Sequence, residues 1–446
     1  MAGNVYKLLK DRYKNKKVLI VGLGVLGGGV GLAKFFAGLG AKVTITDNKN
    51  KTQLASALSQ LKHLPIEYHL EGHPKEIFLK ADVIVKGPFV SWHLPPIVAA
   101  EKKGIPIEME LSFFAQYSPA KIIGITGSRG KSTTTMMIYK LLKQAGWPVH
   151  LGGSLPHIST INYLKTLTFE DWVVMELPSW PLSGFHRKKI SPRIAVFTNF
   201  YPDHLNYYKR VDDYLSDKKA IYLYQRSDDF LIANKSLQSI TSQDKPKSKI
   251  IYFQPQDFPV QLKFLKGKHN LENAAAALTL AKALNLNLEN CIKSIQQFSG
   301  LPFRQQVVDK KGDVIFVNDT TSTTPVATIK AIEAFADKNI ILILGGNSKN
   351  LPFNTLIKHL IKVKKIVLLA GSFTEEILPI LKQKYSKKIT EVYSDLEKAV
   401  NKSYQLAQEL KEEVYVLFSP AATSFAMFNN EFHRGEEFNK IISQLL

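Results

Sequence analysis

The chain has one cysteine, Cys291, among 446 residues. That excludes an internal disulfide and any zinc site built from cysteines, and it fits a reducing compartment. No stretch reaches the roughly 18 uncharged apolar residues of a membrane span, so no membrane partner is expected. The opening residues, Met1 to Lys7, lack an apolar run suited to a signal peptide, and a cytoplasmic protein is the expectation. Acidic residues are the minority, 38 against 59 Lys and Arg, which leaves a formal net charge of +21. There is no arginine-rich arm, no zinc finger and no alternation of basic and aromatic residues. The excess lysines are scattered, as in Lys14 to Lys17 and Lys245 to Lys249, so they read as a solvated surface and no nucleic-acid partner is expected. Polyanionic small substrates would also gain from such a field. No internal repeat is present.

What the chain does have is concentrated in residues 124 to 134, Gly-Ile-Thr-Gly-Ser-Arg-Gly-Lys-Ser-Thr-Thr. Backbone N–H groups of a Gly-rich turn point at phosphate oxygens, and the following helix adds the positive end of its dipole. Lys131 is suited to the outer phosphates of a nucleotide, and the Ser132 hydroxyl to Mg²⁺. Strict P-loop spacing would put glycine where Ile125 stands, and an ordinary βα turn is the bland alternative. The flanks favour nucleotide binding: Lys121 to Ile125 reads as a strand and Met136 to Leu142 as a helix.

The length exceeds what one hydrophobic core serves, so two or three domains are expected. We read three α/β domains: a Rossmann-like N-terminal domain (1–118), a central P-loop mononucleotide-binding domain with a parallel sheet (119–300), and a C-terminal Rossmann-like domain (301–446). In the first, the strand Lys17 to Val21 runs into Gly22, Gly24 and Gly27, then a helix, then the strand Lys42 to Asp47. That order, ending in an acidic residue about 20 positions on, is the dinucleotide-type fingerprint. It cradles a pyrophosphate, which a UDP-sugar carries as surely as NAD does. The Ser/Gln/Lys-rich stretch 236–249 reads as a surface loop.

In open α/β sheets ligands sit at the carboxyl ends of the strands. Glu176 follows the apolar run Trp172 to Met175, and His204 follows Ile194 to Asn199. With Ser132 they offer carboxylate, imidazole and hydroxyl ligands at one sheet edge, as a magnesium–nucleotide site needs. Singly, each has a bland reading as a solvated or hydrogen-bonded group. The segment from Lys268 opens a small-residue helix with Asn270 as its N-cap; an amide near the helix mouth could instead meet a base or ribose. In the third segment, Asn318–Pro325, Gly345–Lys349 and Ser419–Phe425 each follow a strand. Hydroxyl-rich turns are usually caps, but these also suit an anionic substrate.

In order and spacing, Gly127–Thr133, Glu176-Leu177, Asp203-His204, Lys218–Tyr222, His269–Asn273, Asn318-Asp319, Ser419–Phe428 and His433–Phe438 resemble the Mur ligases. The likeness spans essentially the whole chain. It implies an ATP-dependent amide-bond ligase of peptidoglycan synthesis that adds D-glutamate to UDP-N-acetylmuramoyl-L-alanine through an acyl phosphate. Two Mg²⁺ ions, ATP as co-substrate and a monomer are expected. The resemblance assigns catalysis to Lys131, Glu176, His204 and Lys218, the last carbamylated. It assigns metal binding to Ser132, Glu176, His204 and Lys218. ATP would be held by Gly127, Ser128, Arg129, Gly130, Lys131, Ser132, Thr133, Asn270, Arg304 and Asp319. The UDP-sugar would be held by Gly22, Gly24, Gly27, Asp47 and Gly87, and glutamate by Thr323, Lys349, Ser424 and Phe425.

The chain departs from the family pattern in four places. A serine that contacts the muramoyl substrate is Pro178, a glutamine is Pro181, a lysine after Asp319 is Thr321, and a histidine before Arg304 is Phe303. These leave the ATP machinery whole and open a second possibility, a Mur-type ligase of altered specificity such as one taking L-glutamate. An NAD-binding oxidoreductase built on the Gly22 fingerprint would leave Lys131, Glu176 and His204 without a task.

Overall fold

A computed structural model describes residues 4–24, 28–155, 158–201, 203, 208, 210–265, 267–349, 351–424, 427–428 and 430–445. The run Lys17–Val21 forms β1, with four of its five residues buried. Lys42–Asp47 is β2, Ile66–Leu70 is β3, Val83–Lys86 is β4 and Ile107–Glu108 is β5. All pair in parallel in the order β3-β2-β1-β4-β5. Near-continuous apolar runs such as Val18–Val21 are what a parallel sheet covered on both faces requires.

The second sheet contains β6 (Lys121–Thr126), β7 (Val149–Gly153), β8 (Trp172–Glu176), β9 (Ile194–Phe197), β10 (Phe230–Asn234) and β11 (Lys249–Phe253). It too is parallel, in the order β11-β10-β9-β6-β8-β7. The third contains β12 (Gln306–Lys311), β13 (Val314–Asn318), β14 (Asn339–Gly345), β15 (Lys365–Leu369), β16 (Ile389–Tyr393) and β17 (Val414–Phe418), ordered β12-β13-β17-β14-β15-β16. Only β12 runs antiparallel, joined to β13 through Gly312 at φ +59°.

The chain divides into two compact units, Met1–Val260 with Leu271–Ile295, and Gln261–Asn270 with Gln296–Leu446. Within the first, one core joins the two sheets: Phe35, Phe36 and Phe113 belong to the same buried cluster as Ile161, Leu164 and Phe185. Gly31 lies against this seam, where a Cβ would stand 1.9 Å from Ser159 Oγ.

Two expectations from sequence need correction. The stretch 236–249 is not a loop: it holds the helix Gln238–Asp244 and the first residue of β11. Its polar composition hides an inward face, on which Leu237 and Thr241 are buried and the Thr241 hydroxyl donates to the Leu237 carbonyl at 3.2 Å. Asn270 is not an N-cap, because the helix Lys268–Ala283 starts two residues earlier. Gly267, at φ +91°, turns the chain there and its carbonyl accepts from Asn270 N at 3.0 Å.

Candidate active site

The turn after β6 is shaped by two glycines in backbone conformations that L side chains rarely adopt, Gly127 at φ +153° and Gly130 at φ +80°. Gly130 caps the helix Lys131–Gln144. A Cβ at Gly130 would stand 2.1 Å from Asn273 Oδ1, and one at Gly127 would stand 2.0 Å from Thr198 Oγ1. Glycine is therefore required twice, for φ and for space. The bend after β9 braces the turn. Thr198 Oγ1 donates to the Arg129 carbonyl at 2.7 Å, Arg129 N donates to Asn199 Oδ1 at 2.8 Å, and Ser128 N donates to the Asn199 carbonyl at 3.0 Å. The Ser128 hydroxyl donates to the Tyr201 carbonyl at 2.8 Å.

Two lysines converge on this turn. Lys131 Nζ donates to the carbonyls of Gly127 (3.0 Å) and Ser128 (3.2 Å). Lys218, 1% exposed on the helix Val211–Lys219, donates to the Gly127 carbonyl at 2.8 Å. Burial drives the Lys218 pKa well below the ordinary lysine value; Lys131 pushes the same way, against Asp203 and Glu176. Burial of this kind shifts a lysine toward its neutral, nucleophilic amine form.

Strand register delivers the carboxylate. Ile125 of β6 lies opposite Glu176 of β8, so Glu176 ends its strand beside the glycine turn. Glu176 is buried, and its Oε2 has no hydrogen-bond partner among the described residues. A carboxylate oxygen without a partner among the described residues fits a hard divalent cation, which takes oxygen ligands, and the Ser132 hydroxyl, buried in the first turn of the helix that follows β6, is of the same ligand type. His204 lies outside the described residues.

The first sheet gathers most of its expected glycines. Gly22 (φ +90°) and Gly24 (φ +64°) follow β1, and Gly87 follows β4 and donates its N–H to the Val21 carbonyl at 2.7 Å. Asp47, at the end of β2, accepts from Gly24 N (3.2 Å) and Lys49 N (2.9 Å). Gly27 lies outside the described residues. Two residues with no part in the expected set belong here. A Cβ on Gly29 would stand 2.1 Å from the Leu23 carbonyl, so this glycine sets how closely the helix follows the turn. Lys86, buried at the end of β4, donates to the carbonyls of Gly87 (3.2 Å) and Val90 (2.8 Å) and lies 4.4 Å from the Trp92 ring centre. Burial lowers its pKa to about 7, helped by Arg187 and opposed by Asp217.

In the second unit, Asp319 follows β13 and Ser419 follows β17, and the Ser419 hydroxyl donates to Asp319 Oδ2 at 2.7 Å. Burial raises the Asp319 pKa to about 6, against bonds from Ser322, Ser419 and Gln305 N and the field of Arg304. Lys349, past β14, donates to Thr323 Oγ1 at 2.8 Å. Ser424 is buried and its hydroxyl has no partner among the described residues. Phe425 lies outside them. Pro178 and Pro181 flank the start of the helix Ser179–Lys188, where a missing N–H costs nothing because first-turn amides have no intrahelical acceptor.

Nothing in the sequence pattern marks Thr198 and Asn199 as braces of the loop, or Asn273 as the neighbour that Gly130 must clear. Nor does the pattern mark Arg434 as a fully buried residue.

These features define an α/β protein with a phosphate loop, a lysine across the loop and a buried carboxylate beside it. Profiles of the Mur ligases match the chain in three consecutive parts: the MurD-like N-terminal domain over residues 16–108, the Mur ligase middle domain over 125–259, and the glutamate ligase domain over 303–422. A UDP-N-acetylmuramoylalanine–D-glutamate ligase of Roseiflexus sp. is 32% identical over 96% of this chain and 98% of its own length. The protein of that name from Borreliella afzelii is 32% identical over 98% and 99%. The UDP-N-acetylmuramate–alanine ligase structure from Thermotoga maritima shares the fold with a TM-score of 0.59 at 19% identity, covering 96% of this chain and all of its own. The chain belongs to the Mur ligase family.

Proposed function

We infer that this protein joins D-glutamate to UDP-N-acetylmuramoyl-L-alanine at the expense of ATP, a cytoplasmic step of peptidoglycan synthesis. The observation that carries the reading is the convergence of Lys131 and Lys218 on the Gly127 carbonyl, in an end-to-end relative of D-glutamate ligases. Residues 1–118 would hold the UDP-sugar, 119–300 ATP, and 301–446 glutamate. The working form would be a monomer with no nucleic-acid or membrane partner. No described helix is long and apolar enough to cross a membrane.

The chemistry follows from these groups. The substrate carboxylate attacks the γ-phosphorus of ATP, giving an acyl phosphate and ADP. The free amine of glutamate then attacks the acyl carbon, and phosphate leaves as the amide forms. Phosphoryl transfer of this kind is mostly positioning and charge neutralisation. Gly127 to Thr133 would cradle the phosphates, with Lys131 at the outer ones. Asn270, Arg304 and Asp319 carry the remaining ATP contacts that the resemblance assigns. Ser132 and Glu176 would hold one Mg²⁺, and His204 with carbamylated Lys218 a second; such ions neutralise phosphate charge. The depressed pKa of Lys218 supports the carbamate, since a neutral amine is the form that adds carbon dioxide. Gly22, Gly24, Gly27, Asp47 and Gly87 would bind the uridine diphosphate. Thr323, Lys349, Ser424 and Phe425 would grip glutamate.

The decisive assay measures phosphate release with ATP, Mg²⁺ and UDP-N-acetylmuramoyl-L-alanine, adding D- or L-glutamate in parallel. Release should need all four components and the D-isomer. Release indifferent to glutamate would sink the proposal, and preference for the L-isomer would replace it with the altered-specificity reading.

A further inference from the structure

Arg434 lies in the first turns of the helix Glu431–Gln444 and is 1% exposed. A buried guanidinium is normally matched by a carboxylate, because desolvating the charge is costly. Here its acceptors among the described residues are main-chain carbonyls. Nη2 donates to Thr320 O at 2.7 Å, and Nη1 and Nη2 both donate to Ala422 O at 3.2 Å. Its Nε has no partner among the described residues. Burial lowers its pKa to about 10, opposed by Glu431.

The two carbonyls belong to different loops. Thr320 lies in the turn after β13 that carries Thr323, and Ala422 in the turn after β17 that carries Ser424. The second turn is strained, with Ala421 at φ +59°. It is held by Ala421 N donating to the Ser322 carbonyl at 3.0 Å, and by Thr423 and Asn347 exchanging main-chain bonds of 2.9 and 3.2 Å. Asn347 precedes Lys349. The helix that bears Arg434 is pressed against the first turn. A Cβ on Gly435 would stand 2.3 Å from Phe303 Cδ1, and Asn318 Nδ2 donates to the Gly435 carbonyl at 2.9 Å.

We propose that Arg434 is a positioning residue for the incoming amino acid, a fork that holds the turns after β13 and β17 at the spacing that presents Thr323, Lys349 and Ser424 to one ligand. The inference rests on the ligase reading above and goes beyond it, since Arg434 touches no substrate in that reading. A planar guanidinium reaches two carbonyls on separate loops; a lysine ammonium, a single point of charge, does not replace it. The local charge also favours an anionic ligand: burial and then Arg434 lower the Lys349 pKa, Glu431 opposes both shifts, and a bound carboxylate relieves both cations.

The test uses Arg434→Lys and the neutral Arg434→Gln in the full chain, with two readouts. The first is steady-state ligation. The second omits glutamate and traps the acyl phosphate with hydroxylamine, which displaces phosphate to give a hydroxamate. Both variants should raise the KM for D-glutamate at least about tenfold. The KM values for ATP and UDP-sugar, and the hydroxamate rate, should stay within about twofold. An unchanged glutamate KM overturns the proposal, and so does an equal loss in ligation and hydroxamate formation, which marks a general structural role. Wild-type enzyme that gives neither product overturns the ligase reading itself.

Discussion

Lys218 Nζ donates to the carbonyl of Gly127 at 2.8 Å, so a lysine 91 positions away is docked on the glycine that opens the phosphate loop. Burial, and then Lys131, hold its pKa well below the ordinary lysine value. Lys218→Ala should lower activity at least about 100-fold, and acetate or another small carboxylate should restore part of it. Restoration supports a carboxylate-like carbamate. The same rate with and without acetate, across a concentration series, counts against it.

Lys131 donates to the Gly127 and Ser128 carbonyls, and the proposed function sets it at the outer phosphates of ATP. Lys131→Ala should lower turnover roughly 10³-fold, the scale on which a cation at the transferring phosphate acts. Calorimetric titration should still show UDP-sugar binding. Unchanged turnover refutes the role.

Gly130→Ala combines strain with a collision, since φ is +80° and the new methyl would meet Asn273 Oδ1. The left-handed conformation alone costs about 1–2 kcal/mol. The variant should melt at lower temperature and bind ATP more weakly, as Asn273 is driven off the loop. A thermal shift curve that overlays the wild type contradicts the tight approach.

Asp319 supplies a pH dependence with a definite sign. Its folded pKa, about 6, lies above its ordinary value, so between about pH 4 and 6 the folded state holds more protons than the unfolded one. Stability from this group is fully present below pH 4 and is lost as the pH rises through 6, by up to about 3 kcal/mol. Thermal melts of wild type and Asp319→Asn across pH 4–7 isolate it: the wild type should lose stability relative to the variant on the way up. Parallel curves would show that Asp319 titrates normally.

Much of the architecture was legible because parallel strands buried on both faces announce themselves as unbroken apolar runs. Lys17–Val21, Trp172–Glu176 and Val414–Phe418 lie where their composition put them. The helix Gln238–Asp244 was not legible, because a short helix with one narrow inward stripe looks polar throughout. The phosphate loop was readable from its glycines, whose backbone demands are local. Thr198 and Asn199 were not, since a brace depends on which strands become neighbours, and β9 reaches β6 only through the crossover that orders the sheet.

The sequence by itself determined the glycine turns after β1 and β6, the hydroxyl-rich turns after β13, β14 and β17, their order along the chain and the family they belong to, because glycine, lysine and hydroxyl spacing acts within a few residues. Only the tertiary structure decided that Lys218 is buried with a depressed pKa, that Glu176 Oε2 has no partner among the described residues, and that Arg434 bonds two loops at once. Each depends on desolvation and on neighbours brought in from distant positions, and no local pattern of residues encodes either.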